Sequence, residues 1–223
     1  MSKKNKNIEI QPQNMKKVIR DFKDGDKLMK GLKNTVTIFG SARTKEWQKE
    51  YKNAEKMAFM LAESGINVAT GGGKGIMEAG NKGAYKSDKA ESIGLSIELP
   101  FEVQENKYVD RQQKFDFFFS RKVMLVKYSK AFICFPGGYG TLDELFETLT
   151  LMQTGKVAKS TIYLVGIQFY APLMDFIYKS LLRKSVISDG DEVMIKLTDS
   201  LDYVLKDIKK TIKKSNKKNK KNK

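Results

Sequence analysis

Two β-branched or apolar runs in this chain stop at clusters of glycine, and each cluster opens directly onto a helical pattern. Ile66-Asn67-Val68-Ala69-Thr70 runs into Gly71-Gly72-Gly73-Lys74-Gly75, and Ala131-Phe132-Ile133-Cys134-Phe135 runs into Pro136-Gly137-Gly138-Tyr139-Gly140. A strand that turns sharply into a helix needs residues without a Cβ, and repeated strand–glycine–helix units require a parallel sheet with its loops at the carboxyl edge. Ligands of such sheets lie in the crevice beyond those strand ends. The expected fold is therefore a single α/β domain, a parallel sheet flanked by helices, with the glycine loops converging on one site.

The remaining pattern fills in the order of elements. Residues 35–39 form a strand ending at Gly40. Trp47, Tyr51, Ala54, Ala58 and Leu61 recur at helical steps and predict a buried stripe. Further helices are expected over 15–29 (packed outside), 76–85, 121–128, 141–152, 172–182 and 201–212. Strands are expected over 66–70, 93–99 (stopped by Pro100), 115–119, 131–135 and 161–165. The polar stretch 101–114 reads as a loop. No internal repeat or second core is visible.

Composition limits the chemistry. The chain contains no histidine, which removes imidazole bases, Ser-His-Asp and Cys-His triads and histidine metal ligands. Cys134 is the one cysteine and sits in an apolar run, so a buried, inert thiol in a reducing compartment is expected. No apolar stretch approaches the ~18–20 residues of a membrane span, and the charged N-terminus lacks the apolar segment of a secretory signal. The cytoplasm is the expected location. A zinc site of the ordinary Cys/His kinds is also excluded, and catalysis must run on carboxylates, arginine, lysine and backbone amides.

The net charge of +16 is concentrated at the ends. Nine lysines and no acid lie between Lys209 and Lys223, and Lys3, Lys4 and Lys6 add three; without these twelve the body carries about +4, an ordinary value. Residues 1–13 and the Lys/Asn-rich 209–223 are expected to be disordered, flanking a catalytic domain over 14–208. The tail suits at most weak, non-specific contact with nucleic acid. A solubilising role is the plainer reading.

Three constellations carry chemistry. Four glycines within Gly71–Gly75 exceed what a turn needs and suit close approach to a phosphate, although they match neither the dinucleotide fingerprint nor the P-loop. In Pro136-Gly137-Gly138-Tyr139-Gly140-Thr141-Leu142-Asp143-Glu144, the amides of Gly138, Gly140 and Thr141 can face a phosphate at a helix start. Glu144 has two readings: a site carboxylate, or the far member of a capping box begun by Thr141. Arg121 and Lys122, at the expected start of a helix, oppose its macrodipole and call for a compensating anion, solvent exposure being the plainer alternative.

Together these residues resemble the Lonely-guy (LOG) family. Residues 136–144 match its PGGxGTxxE motif, and Arg121-Lys122 stands where that family carries an Arg-Lys pair. Ile38-Phe39-Gly40-Ser41-Ala42-Arg43 and Gly71-Gly72-Gly73-Lys74-Gly75-Ile76-Met77-Glu78-Ala79 resemble two further segments of its larger bacterial branch, formerly labelled lysine decarboxylases. Lys74, often proline there, and the lysine tail depart from the pattern. The resemblance implies a modified Rossmann fold and a homodimer or larger assembly. It implies hydrolysis of nucleoside 5′-monophosphates, AMP or cytokinin riboside monophosphates, to free base and ribose 5-phosphate without a cofactor. It places catalysis on Arg121 and Glu144. Substrate contacts are implied at Lys122, Gly138, Tyr139, Gly140, Thr141, Leu142, Asp143 and Thr150, with Gly71, Gly72, Gly73 and Ser41 in the neighbouring loops. An acidic contact from Glu102 or Glu105 stays open. A helix N-terminus would keep Glu144 ionised, suiting it to stabilise a ribosyl cation or activate water, while Arg121 acts electrostatically. The alternative is a non-catalytic nucleotide-binding or sensing protein on the same fold. A pyridoxal-dependent decarboxylase would need a Schiff-base lysine in an apolar pocket, and the lysines here stand mostly at polar positions.

Overall fold

The computed structural model describes residues 15–98 and 106–221, the last five as backbone only. The segment 1–13, the strand end at Leu99 with Pro100, and Glu102 and Glu105 lie outside the described residues. Seven parallel strands form one sheet in the order β4-β3-β2-β1-β5-β6-β7. They are β1 (Thr35–Phe39), β2 (Asn67–Thr70), β3 (Ser92–Ile97), β4 (Arg111–Phe115), β5 (Ser129–Cys134), β6 (Thr161–Val165) and β7 (Ile195–Thr198). The helices are α1 (Met15–Met29), α2 (Lys49–Glu63), α3 (Ile76–Tyr85), α4 (Phe118–Lys127), α5 (Tyr139–Gln153), α6 (Ile167–Phe176) and α7 (Leu201–Lys221). The strand order reverses between β1 and β5, and in such sheets the reversal opens the ligand crevice.

The central strands are buried on both faces, and alternate side chains feed two cores. Val36, Ile38, Ile133, Phe135 and Tyr163 pack with residues of α2, α3 and α7. Phe39, Phe132, Cys134 and Leu164 pack with residues of α1, α4, α5 and α6. Burial pushes the Cys134 thiol well above the ordinary thiol range, consistent with an inert core residue.

Several expected elements shift. The region 106–115 is not all loop: β4 adds an edge strand, and the expected strand over 115–119 overlaps it only at Phe115 before α4 begins. Its sequence, Arg111-Gln112-Gln113-Lys114-Phe115, hid it because only one side packs and charged residues guard the edge. Trp47 precedes α2 and is 74 % exposed, so it does not belong to the buried stripe. Helix α4 begins three residues before Arg121, α5 at Tyr139 rather than Thr141, and α6 at Ile167. Pro172 lies inside α6, which continues as a π-helical segment, Ile177–Leu182. Strand β7 went unread because its four residues hold only two apolar side chains. Helix α7 runs on to Lys221 with Ile212 buried, so the division at 208/209 falls inside one helix.

Helices α2 and α3 touch at Gly83, where an added Cβ would sit well inside contact distance of the Glu55 carbonyl oxygen. Helix propensity alone makes Gly→Ala stabilising by ~1 kcal/mol. Backbone overlap of this kind costs about 1–3 kcal/mol or more. Gly83→Ala should therefore give a net loss of stability, read as a lower urea midpoint. A gain would show that the two helices have room to spare.

Candidate active site

The loops after β1, β2 and β5 are tied to one another by their backbones. The Phe135 amide donates to the Phe39 carbonyl, the Ser41 amide to Pro136 and the Ile76 amide to Ser41. Glycine permits each approach. A Cβ on Gly75, whose φ is +64°, would strike the Ser41 carbonyl, and one on Gly40 would lie 2.5 Å from the Ile76 side chain. A Cβ on Gly137 would collide with the Thr141 hydroxyl.

Between these loops lies a cavity of about 750 Å³, within the usual range for small-molecule sites. Of the expected residues, Ser41, Gly71, Arg121, Gly138, Tyr139, Gly140, Thr141, Leu142 and Glu144 line it. The others do not. An added Cβ on Gly72 would face Ser96 on β3, and Met77 covers Gly73. Lys122 is held between Asp143 and Glu147, at 2.7 and 2.6 Å. Burial works against its charge, but these two carboxylates outweigh burial and hold the ammonium above the usual lysine range. Thr150 lies farther along α5, where its hydroxyl donates to the Phe146 carbonyl.

Arg121 and Glu144 meet at the cavity wall, with the guanidinium Nη2 3.2 Å from the carboxylate Oε1. Gly71 lies beside this arginine, and its missing side chain makes room for Met77, whose Sδ would stand 2.7 Å from an added Cβ. The Phe118 ring lies under the guanidinium at 5.3 Å. Glu144 is only 5 % exposed, and both its Oε2 and the Nε of Arg121 are buried without a hydrogen-bond partner. Such half-satisfied polar groups in a cavity wall mark a place where a ligand can complete the bonding.

Two expectations about Glu144 are corrected. The N-cap of α5 is Gly138, so Glu144 sits in the second turn and cannot close a capping box with Thr141; the Thr141 amide donates to Gly138. Its ionisation also departs from expectation: burial raises the carboxyl above the ordinary glutamate range, only partly opposed by Arg121 and Lys122. The favourable field of a helix start fades within the first turn, so desolvation prevails.

Sequence reasoning missed Arg43, which lines the same cavity from the loop after β1. Its amide donates to the Ser41 hydroxyl at 3.1 Å, fixing a tight turn beyond the strand. Among the described residues it is the one lining cation with no carboxylate partner. The signal was its place in Gly40-Ser41-Ala42-Arg43, just past a strand end facing the crevice. Met77 and Leu125 supply apolar wall opposite the polar groups. The amides of Tyr139 and Gly140, first in α5, precede any intrahelical acceptor.

Comparison with known proteins bears on the family and the fold. A family described as possible lysine decarboxylase matches residues 77–208. The chain is similar to the cytokinin riboside 5′-monophosphate phosphoribohydrolase LOG of Oryza sativa subsp. japonica, 30% identical over 150 residues, 66% of this chain and 61% of the relative. It also resembles the cytokinin riboside 5′-monophosphate phosphoribohydrolase of Rhodococcoides fascians, 28% identical over 146 residues, 64% of this chain and 73% of that one. The match thus spans less than two thirds of the rice protein, and 40% of an Arabidopsis thaliana relative. Among solved structures, the molybdenum cofactor binding protein from Rippkaea orientalis aligns with a TM-score of 0.60 at 21% identity, covering 82% of this chain and 99% of that one. TM1055 aligns at 0.59 with 18% identity, covering 80% and 99%. These two establish a common fold. The chain belongs to the possible lysine decarboxylase family, which is the LOG family.

Proposed function

We propose that the protein hydrolyses the N-glycosidic bond of nucleoside 5′-monophosphates, AMP and cytokinin riboside monophosphates among them, to the free base and ribose 5-phosphate. The observation that carries this reading is the buried Arg121–Glu144 pair, each partner with one unused polar atom, in the wall of a cavity bounded by glycine loops. Cleavage of the C1′–N bond leaves its electron pair on the base and positive charge on the ribose. Ionised Glu144 stabilises that charge and takes a proton from the water whose oxygen bonds to C1′. The proton ends on the departing base. Arg121 never loses its own proton and acts by charge, holding electron density as it develops on the leaving group. The helix-start amides of Tyr139 and Gly140 and the free guanidinium of Arg43 receive the 5′-phosphate. Lys122, already paired twice, orders α4 against α5 instead.

The reading includes self-association, supported by exposed Phe118, Phe119 and Phe146 on the two helices beside the cavity. Among the described residues no helix is long and apolar enough to cross a membrane. The cytoplasm is the compartment this reading assigns, and weak contact with nucleic acid is left to the basic end of α7.

Purified protein should release adenine and ribose 5-phosphate from AMP and act far more slowly on adenosine. Arg43→Ala should raise the KM for AMP about two- to fivefold, the upper range of an exposed charge pair, and leave adenosine unaffected. Equal rates on the two substrates would remove the phosphate-holding role. Binding of AMP with no base release would favour the non-catalytic alternative.

Glu144→Gln should lower turnover by ~100-fold or more with AMP still bound, as for other transition-state electrostatic groups. The pH dependence carries a sign. A base works ionised, and burial raises the Glu144 pKa, so kcat/KM should fall with decreasing pH from a point above the ordinary carboxylate range. The residual activity of Glu144→Gln should lack that acid limb. A folded Glu144→Gln protein with near-normal turnover would take Glu144 out of the mechanism.

A further inference from the structure

The helix that carries Arg121 has no cap of its own. The residue before α4 is Phe117, which offers no side-chain acceptor. The acceptor comes instead from α1, nearly a hundred residues earlier in the chain. Asp21 is 1 % exposed, and its carboxylate takes the Asp116 amide at 3.1 Å, the Phe117 amide at 3.2 Å and the Ser120 hydroxyl at 2.6 Å. All three donors fall within the five residues before Arg121. The first intrahelical bond of α4, from the Arg121 amide to the Phe117 carbonyl, begins where the Asp21 bonds end.

Three further contacts seat α1 against this helix and the residues that lead into it. Gly25 faces Met124 and Phe115, and an added Cβ there would lie 2.8 Å from Met124. At the far end, Asp26 receives Lys127 Nζ and the Tyr128 hydroxyl, each at 2.7 Å. At the near end, Lys17 and Arg20 of α1 pair with Asp116. Of these contacts, only the Asp21 group is buried and bonded to backbone immediately before Arg121. Helix α1 lies wholly outside the segment matched by the family, 77–208, so the clamp is supplied by the amino-terminal part of this chain.

We propose that Asp21 is a positioning residue for Arg121: its buried carboxylate caps α4 from α1 and sets the height at which the guanidinium meets Glu144 and the substrate. The inference rests on the role given to Arg121 above. A charged acceptor facing two amides and a hydroxyl forms strong, directional bonds, and it substitutes for the missing cap and favours the helix start electrostatically. Relaxing it lets the first turn of α4 unwind or shift. A displacement near 1 Å of a group acting in the transition state is enough to cost up to ~100-fold in rate.

The test uses the full chain with AMP. Asp21→Asn keeps the volume but sets an amide group against amide donors. It should lower kcat at least tenfold with KM changed less than about threefold, and speed hydrogen exchange at residues 117–121. Asp26→Asn, which loosens the same two helices at the other end, should leave kcat and that exchange unchanged. Ser120→Ala, a milder change, should lower kcat about three- to tenfold, and it carries the test if Asp21→Asn does not fold. In a double variant, Asp21→Asn should add little to the loss already caused by Arg121→Ala, because both act through one group. Additive losses, or unaltered exchange at 117–121 in Asp21→Asn and Ser120→Ala, would overturn the proposal. Normal kcat in those variants with a slow Arg121→Ala would overturn it while sparing the role of Arg121. Normal turnover in Arg121→Ala would overturn both.

Discussion

The peptide of Ser41 is the point on which the site depends. Its amide reaches the loop after β5 and its carbonyl receives the amide that opens α3, so one residue joins three strand ends. These bonds fix the separation of the loops, and hence the width of the cavity, to within hydrogen-bond tolerance. They form only because Gly40, Gly75 and Gly137 carry no side chain where the loops cross. The glycines of this chain therefore serve first to bring backbones together. Contact with an anion is left to a subset of them: Gly138 and Gly140 have open space where a Cβ would project.

Charge follows from that geometry. Closing the loops buries Glu144 and Arg121 against each other, while Lys122 on the next position of α4 is drawn to Asp143 and Glu147. Adjacent residues of one helix thus divide their work, one reaching into the cavity and one holding the helix in place. The raised pKa of Glu144 results from this enclosure. A carboxyl whose pKa is brought toward neutrality is a better proton acceptor than an ordinary surface glutamate.

The fold was largely legible because its central strands are short, apolar and closed by glycine. Strand β5 and helix α3 follow directly from that pattern. What escaped was peripheral: β4, polar on its open edge, and β7, too short for periodicity to register. In the site, the PGGxGTxxE stretch and Arg121 identified the cavity wall from sequence. The position of α5 did not follow, because Thr141 and Glu144 imitate a capping box by spacing while the helix actually starts at Tyr139. Arg43 had only its place just past a strand end to mark it, and Asp21 carried no local signal. Each depends on a contact made across the fold, with the crevice or with a helix far along the chain, and spacing along one segment does not encode such contacts.

The return path of α7 has a consequence for the long-range field. The helix starts beyond the carboxyl end of β7 and runs back, so that Thr211, Ile212 and Ser215 share a hollow with Ser129 and Lys130 at the opposite end of β5. Lys213 and Lys214, between those residues, therefore lie roughly a strand length from Glu144, about 17 Å at the usual rise per residue. The Debye length at physiological ionic strength is only about 8 Å. Counterions thus attenuate the influence of those lysines before it reaches the cavity, and the groups that oppose burial of Glu144 are its neighbours Arg121 and Lys122. A protein with an isoelectric point near 9.6 keeps, at its reactive centre, an electrostatic environment set by a handful of local charges.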